Sequence, residues 1–65
     1  MVSVGDRATP WRAGLTLADV IRELGLPNGY VLADLNGKFV WKKDWETTAV
    51  PDDAKVHFRW IVAGG

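Results

Sequence analysis

The sequence predicts an α+β fold, a mixed sheet of four to five strands packed on one short helix. Hairpin signals at Gly5-Asp6 and Asn36-Gly37 flank a capped, amphipathic helical stretch, and the closing segment from Lys55 to Val62 alternates with period two. A strand–helix–strand crossover joined to antiparallel partners requires a sheet of mixed direction. With 65 residues, there is room for a single domain, 1–65, with one small core.

At the start of the chain, Val2 and Val4 alternate with Ser3, turn at Gly5-Asp6 and return through Arg7-Ala8-Thr9. Pro10 has no ladder donor and suits the end or edge of this hairpin. Trp11 fits either a core anchor or a half-exposed edge position, and the sequence leaves both open.

The helix is the most legible element. Thr16 is a good N-cap, Asp19 three residues on is a short form of the capping-box acid, and Leu15 and Val20 occupy the staple positions. Leu17, Val20, Ile21 and Leu24 form one apolar stripe by the i, i+3, i+4, i+7 rule. Gly25 suits the left-handed position after the last turn, Leu26 can fold back on Ile21, and Pro27 blocks continuation. About two turns result, too short to persist without packing the stripe on a sheet.

Past the Asn28-Gly29 turn, Tyr30 to Leu35 reads as a strand with Val31, Ala33 and Leu35 toward the helix and Leu32 and Asp34 outward. Asn36-Gly37 returns it through Lys38-Phe39-Val40. Trp41 and Trp45, four residues apart, fit one irregular helical turn, with Trp45 as a lid on the core. Val50-Pro51-Asp52-Asp53 is a turn. On the last strand, alternation places Val56 and Phe58 inward and His57, Arg59 and Ile61 outward; it also points Trp60 inward, and the sequence leaves open a core place or a part in partner docking for that residue. This strand runs straight into the tail Ala63-Gly64-Gly65, read as flexible over 63–65. The order of elements is that of the β-grasp, or ubiquitin-like, architecture.

Composition narrows the function. Eight basic and eight acidic side chains balance, which removes the positive field of a phosphate-backbone binder. The absence of cysteine excludes a disulfide framework and a cysteine zinc site, and points toward a reducing compartment. Met1 to Asp6 lacks the basic and apolar regions of a secretory signal, and no apolar run approaches a bilayer span. A cytoplasmic protein without nucleic-acid or membrane partners is the expectation. No phosphate-loop motif, nucleophile–base cluster or metal-spaced ligand set is apparent, so the chain reads as a non-enzyme. His57, on an outward strand position without a visible partner, reads as an ordinary surface residue.

Certain motifs carry a family resemblance: the Thr16-Leu17-Ala18-Asp19-Val20 helix opening, Leu35-Asn36-Gly37 followed by Val40 and Trp45, the Val50 to Asp53 turn, and the closing Ile61-Val62-Ala63-Gly64-Gly65. In order, spacing and length these resemble the ThiS-type sulfur carriers of thiamine biosynthesis over nearly the whole chain. The resemblance implies that Gly65 is the residue modified, first adenylated and then converted to a thiocarboxylate. It further implies that Ala63 and Gly64 thread into partner enzymes. Those partners would be an E1-like adenylyltransferase (ThiF type) using ATP and magnesium, a thiazole synthase (ThiG type), and a sulfur donor such as a cysteine desulfurase. The chain itself would bind no cofactor. Asp53-Ala54 stands where such proteins often have Gly-Asp, and aspartate tolerates the left-handed turn conformation better than most residues.

The sequence also supports rival readings. One is sulfur carriage for another pathway, such as molybdopterin or tungsten cofactor or cysteine synthesis. Another is a carrier that also forms isopeptide bonds to lysines, and a third is a noncovalent β-grasp interaction module. Leu32, Arg59 and Ile61, all outward on the sheet, are the expected docking residues.

Overall fold

The structure, a computed structural model, describes residues 1–26 and 29–60. β1 (Val2–Val4) and β2 (Arg7–Thr9) form the first hairpin, α1 spans Leu17–Glu23, and β3 (Leu32–Leu35) and β4 (Lys38–Trp41) form the second hairpin. A single 3₁₀ turn, Lys42–Asp44, precedes β5 (Lys55–Arg59). One sheet results, in the order β2-β1-β5-β3-β4, with β5 parallel to β1 and antiparallel to β3. This is the mixed sheet on one helix that the sequence predicts.

The predicted capping box and the glycine-terminated last turn are both present. Thr16 Oγ1 accepts from the Asp19 N–H at 3.2 Å, and the Asp19 carboxylate accepts from the Thr16 N–H at 3.1 Å. The first-turn donors that this box cannot reach are met by the loop before β5: Leu17 N–H donates to Thr48 O and Ala18 N–H to Trp45 O. At the other end Gly25 has φ 63°, its N–H donates to Arg22 O, and Leu26 N–H donates to Ile21 O. These two bonds make a Schellman motif, the fold-back expected of Leu26 on Ile21. Pro27 and Asn28, read as the helix stop and half of the following turn, lie outside the described residues.

Leu17 and Val20 are fully buried, and Ile21 and Leu24 pack partly buried against the same core. Val2, Val4, Ala33, Val40 and Val56 meet them from the sheet, and Leu15, Val50 and Ala54 complete the core from the connecting segments. Trp45 closes the core as expected: its ring packs edge-on against Phe58 at 5.2 Å and its indole N–H donates to Val40 O at 3.0 Å. The open question about Trp11 resolves as half-exposed, its indole N–H donating to Val50 O at 2.6 Å.

Asn36 and Gly37 both have positive φ, 52° and 88°, as a tight hairpin turn with right-handed strand twist requires. Asp34 accepts the Gly37 N–H, and the Asn36 side chain accepts the Lys55 N–H at 2.8 Å, tying this turn to β5. Asp53 has φ 60°, the left-handed conformation expected at that position.

One sequence expectation fails. Alternation points Trp60 inward, yet it is 60% exposed. Regular pairing ends at Arg59, whose carbonyl accepts the Val31 N–H at 3.0 Å. Tyr30 and Phe58, whose ring centres lie 6.0 Å apart, already pack against that end of the core. Trp60 instead packs against Tyr30, with ring centres 5.0 Å apart and the planes tilted by 32°.

Candidate functional site

The final strand is the centre of the sheet, held between β1 and β3. It is anchored by Val56, which is fully buried, opposite Val4 on one side and Leu35 on the other. β1 pairs with Lys55 and Val56, and β3 with Val56 through Arg59, so the end of β5 nearest Trp60 is held by β3. Ala63, Gly64 and Gly65, the tail residues singled out from sequence, lie outside the described residues.

The expected docking residues can be placed in part. Leu32 and Arg59 are direct register partners across β3 and β5, which puts them on one face of the sheet. Leu32 is half-buried and Arg59 exposed; Ile61 lies outside the described residues. Register adds what the sequence reading missed. Trp41 is the partner of Leu32 across β4, so Arg59, Leu32 and Trp41 form one row, with His57, Asp34 and Phe39 the row beside it. Trp41 and Phe39 are 52% and 60% exposed. The Asn36-Gly37 turn sets the β3–β4 register, and counting outward from it would have shown this alignment.

The outer face thus carries an apolar edge of Leu32, Trp41 and Phe39 beside basic Lys55 and Arg59 and the imidazole of His57. Lone exposed apolar residues are ordinary; here two large aromatics are aligned on one strand beside a leucine. The polar side of α1 is different in kind. Arg12 bonds Glu23 at 2.6 Å, and Arg22 pairs with Asp19, whose carboxyl group is held below its ordinary pKa chiefly by the Thr16 backbone N–H, then by the Thr16 hydroxyl and Arg22. These groups satisfy one another and serve the helix.

Among the described residues, no group of three His, Cys, Asp or Glu side chains is placed to hold a metal ion, and no helix is long and apolar enough to cross a membrane.

A central parallel–antiparallel strand and a short helix across the sheet define a β-grasp domain. The ThiS family model matches residues 2–65. This chain belongs to the ThiS family. Among solved structures it is similar to the thiamine biosynthesis protein ThiS from Geobacter metallireducens, with 25% identity and a TM-score of 0.77 over 98% of this chain and 97% of that one. No curated protein gives a significant match.

Proposed function

We propose that this protein is a sulfur carrier of thiamine biosynthesis and that the Gly65 carboxylate is the group that carries the sulfur. The observation that supports this most is the family match over residues 2–65, which takes in the Gly64-Gly65 pair. A carboxylate is a poor electrophile until one oxygen becomes part of a good leaving group. In the proposed sequence, an E1-like adenylyltransferase of the ThiF type binds ATP and magnesium. A Gly65 carboxylate oxygen attacks the α-phosphorus and pyrophosphate leaves. The terminal sulfur of a persulfide, supplied by a cysteine desulfurase or similar donor, then attacks the acyl carbon and expels AMP to leave an acyl disulfide, and a thiol attacks the donor-side sulfur, forming a disulfide with the donor and releasing the acyl sulfur as a thiocarboxylate. The resulting thiocarboxylate is handed to a thiazole synthase of the ThiG type.

This chain's own contribution is presentation. Glycine at the last two positions leaves the acyl carbon unshielded by any Cβ, and Ala63 is the next smallest choice for a segment that must enter an enzyme channel. The body supplies a handle, and the row containing Arg59 and Leu32 is the face proposed to meet the adenylyltransferase. Because the same tail must visit two enzymes in turn, the contact is expected to be modest in area and short-lived.

The test is intact-mass spectrometry after incubation with an E1-like partner, magnesium, ATP and a persulfide source. One oxygen should be exchanged for sulfur, with the change mapped to Gly65. A mass that stays constant with several such partners would rule the reading out. Removing Gly64-Gly65 separates it from a noncovalent interaction module: a module keeps its function, whereas a carrier loses all of it with unchanged folding.

A further inference from the structure

β4 is the last strand of the sheet, and its register tells which of its main-chain groups are already engaged. The Lys42 N–H donates to Val31 O at 2.9 Å, and these two residues continue the Leu32–Trp41 register. Val31 with Lys42 is therefore a hydrogen-bonded pair with one of its two bonds made, the Val31 N–H donating to Arg59 O instead. Such pairs alternate along an antiparallel ladder, so Ala33 with Val40 and Leu35 with Lys38 are hydrogen-bonded pairs too. The other side of β3 agrees, because Asn36 N–H donates to Lys55 O at 2.9 Å and continues the β3–β5 register. Lys38 and Val40 thus turn their N–H and C=O groups toward β3, as Lys42 does its N–H, while the Lys42 C=O accepts the Trp45 N–H. Phe39 and Trp41 turn theirs to the open edge. Among the described residues, no hydrogen bond from outside the strand pair reaches either of them.

An edge of this kind either receives a strand or is guarded against one. A second copy is a poor occupant. Antiparallel self-pairing about Val40 sets Phe39 of one copy opposite Trp41 of the other, but also Lys38 of one opposite Lys42 of the other, at both ends. Self-pairing about Phe39 sets Trp41 opposite Gly37, leaving the indole without a cross-strand side chain. Lys38, Lys42 and Lys43 form no ion pairs among the described residues, so their charges are available to a partner. A shallow, open depression lined by Val31, Trp41, Lys42 and Lys43 lies beside this end of the strand.

We propose that the β4 edge is a docking site for an extended, acidic segment of a partner protein, which adds to the sheet as a sixth strand. Running antiparallel, the segment reads acidic, apolar, small apolar, apolar, acidic opposite Lys42, Trp41, Val40, Phe39 and Lys38. Its main chain bonds to Phe39 and Trp41, its two larger apolar side chains pack on those aromatics, and its acids meet the lysines. This inference does not depend on the sulfur-carrier reading.

The test uses a fluorescein-labelled peptide, Ser-Glu-Ile-Val-Ile-Glu-Ser, titrated with the full chain and followed by anisotropy. A scrambled peptide of the same composition is the control. Saturable binding of the patterned peptide alone is expected. Trp41 has φ −72°, which proline adopts without strain, so Trp41→Pro removes the outward N–H while Trp41→Val keeps it. Binding to Trp41→Pro should be about tenfold weaker than to Trp41→Val, the scale of one well-formed hydrogen bond. Equal binding by the two variants overturns strand addition. A separate arm tests the charges: Lys38→Glu with Lys42→Glu should weaken the acidic peptide and favour one with lysines in place of its acids, and indifference to both peptides overturns the proposal. So does absence of saturable binding up to ~1 mM. Sedimentation showing that the protein alone dimerises, and that Trp41→Pro abolishes the dimer, would give the edge to a second copy instead.

Discussion

At Thr16 and Asp19 two side chains and two backbone donors satisfy one another, and the helix start depends on that reciprocity. Replacing Thr16 with alanine leaves the Asp19 N–H without its partner and should cost about 1 kcal/mol in chemical denaturation. The pH dependence follows from the same bonds. Asp19 has a folded-state pKa below its ordinary value, so its contribution is present above the unfolded pKa and disappears as pH falls through the folded one. Melting temperature should therefore fall on acidification across that window, and Asp19→Asn should flatten this limb. Asp53 carries a backbone requirement: at φ 60° a β-branched side chain is strained, so Asp53→Val should lose about 1–2 kcal/mol while Asp53→Gly is tolerated. All three positions could be read from local sequence because a cap or a left-handed turn is satisfied within a few residues.

The segment between β4 and β5 is where one element completes another. Trp45, 3% exposed, fills the space between helix and sheet, while its own carbonyl and that of Thr48 accept the first free donors of α1. Removing the ring by Trp45→Ala should cost about 3–5 kcal/mol, a large share of what a domain of this size possesses, and the far-UV signal should show a chain largely unfolded at 37 °C. Trp45→Phe keeps most of the volume but loses the bond to Val40 O, so a loss of about 1 kcal/mol is expected. Sequence pattern identified Trp45 as a lid, yet gave no sign that its loop caps the helix. That pairing joins residues about 30 positions apart through main-chain atoms, which side-chain periodicity does not encode.

For the molecule as a whole, the proposed docking residue Arg59 lies at the end of β5, six residues before Gly65. Arg59→Glu should slow activation by an adenylyltransferase without lowering the melting temperature; unchanged kinetics would remove this face from the docking surface. Trp60 offers a contrasting check. Sixty per cent exposed, it should tolerate Trp60→Ser with a loss of about 1 kcal/mol or less, where a core tryptophan would cost several. The element order, the helix caps, the hairpin turns and the inward faces of β1 and β3 were determined by the sequence alone, because each rests on local backbone preference or on the two-residue and 3.6-residue periods. Which aromatics stand in water was decided only by the tertiary structure. Trp60 lost its inward place because the pairing ends one residue earlier and Tyr30 and Phe58 already fill that end of the core. Trp41 and Phe39 became a surface through a register that brings them beside Leu32, and through their position on a strand that no other element covers among the described residues. Exposure of this kind depends on which distant segments arrive to cover a side chain, and alternation along a single strand contains no information about that.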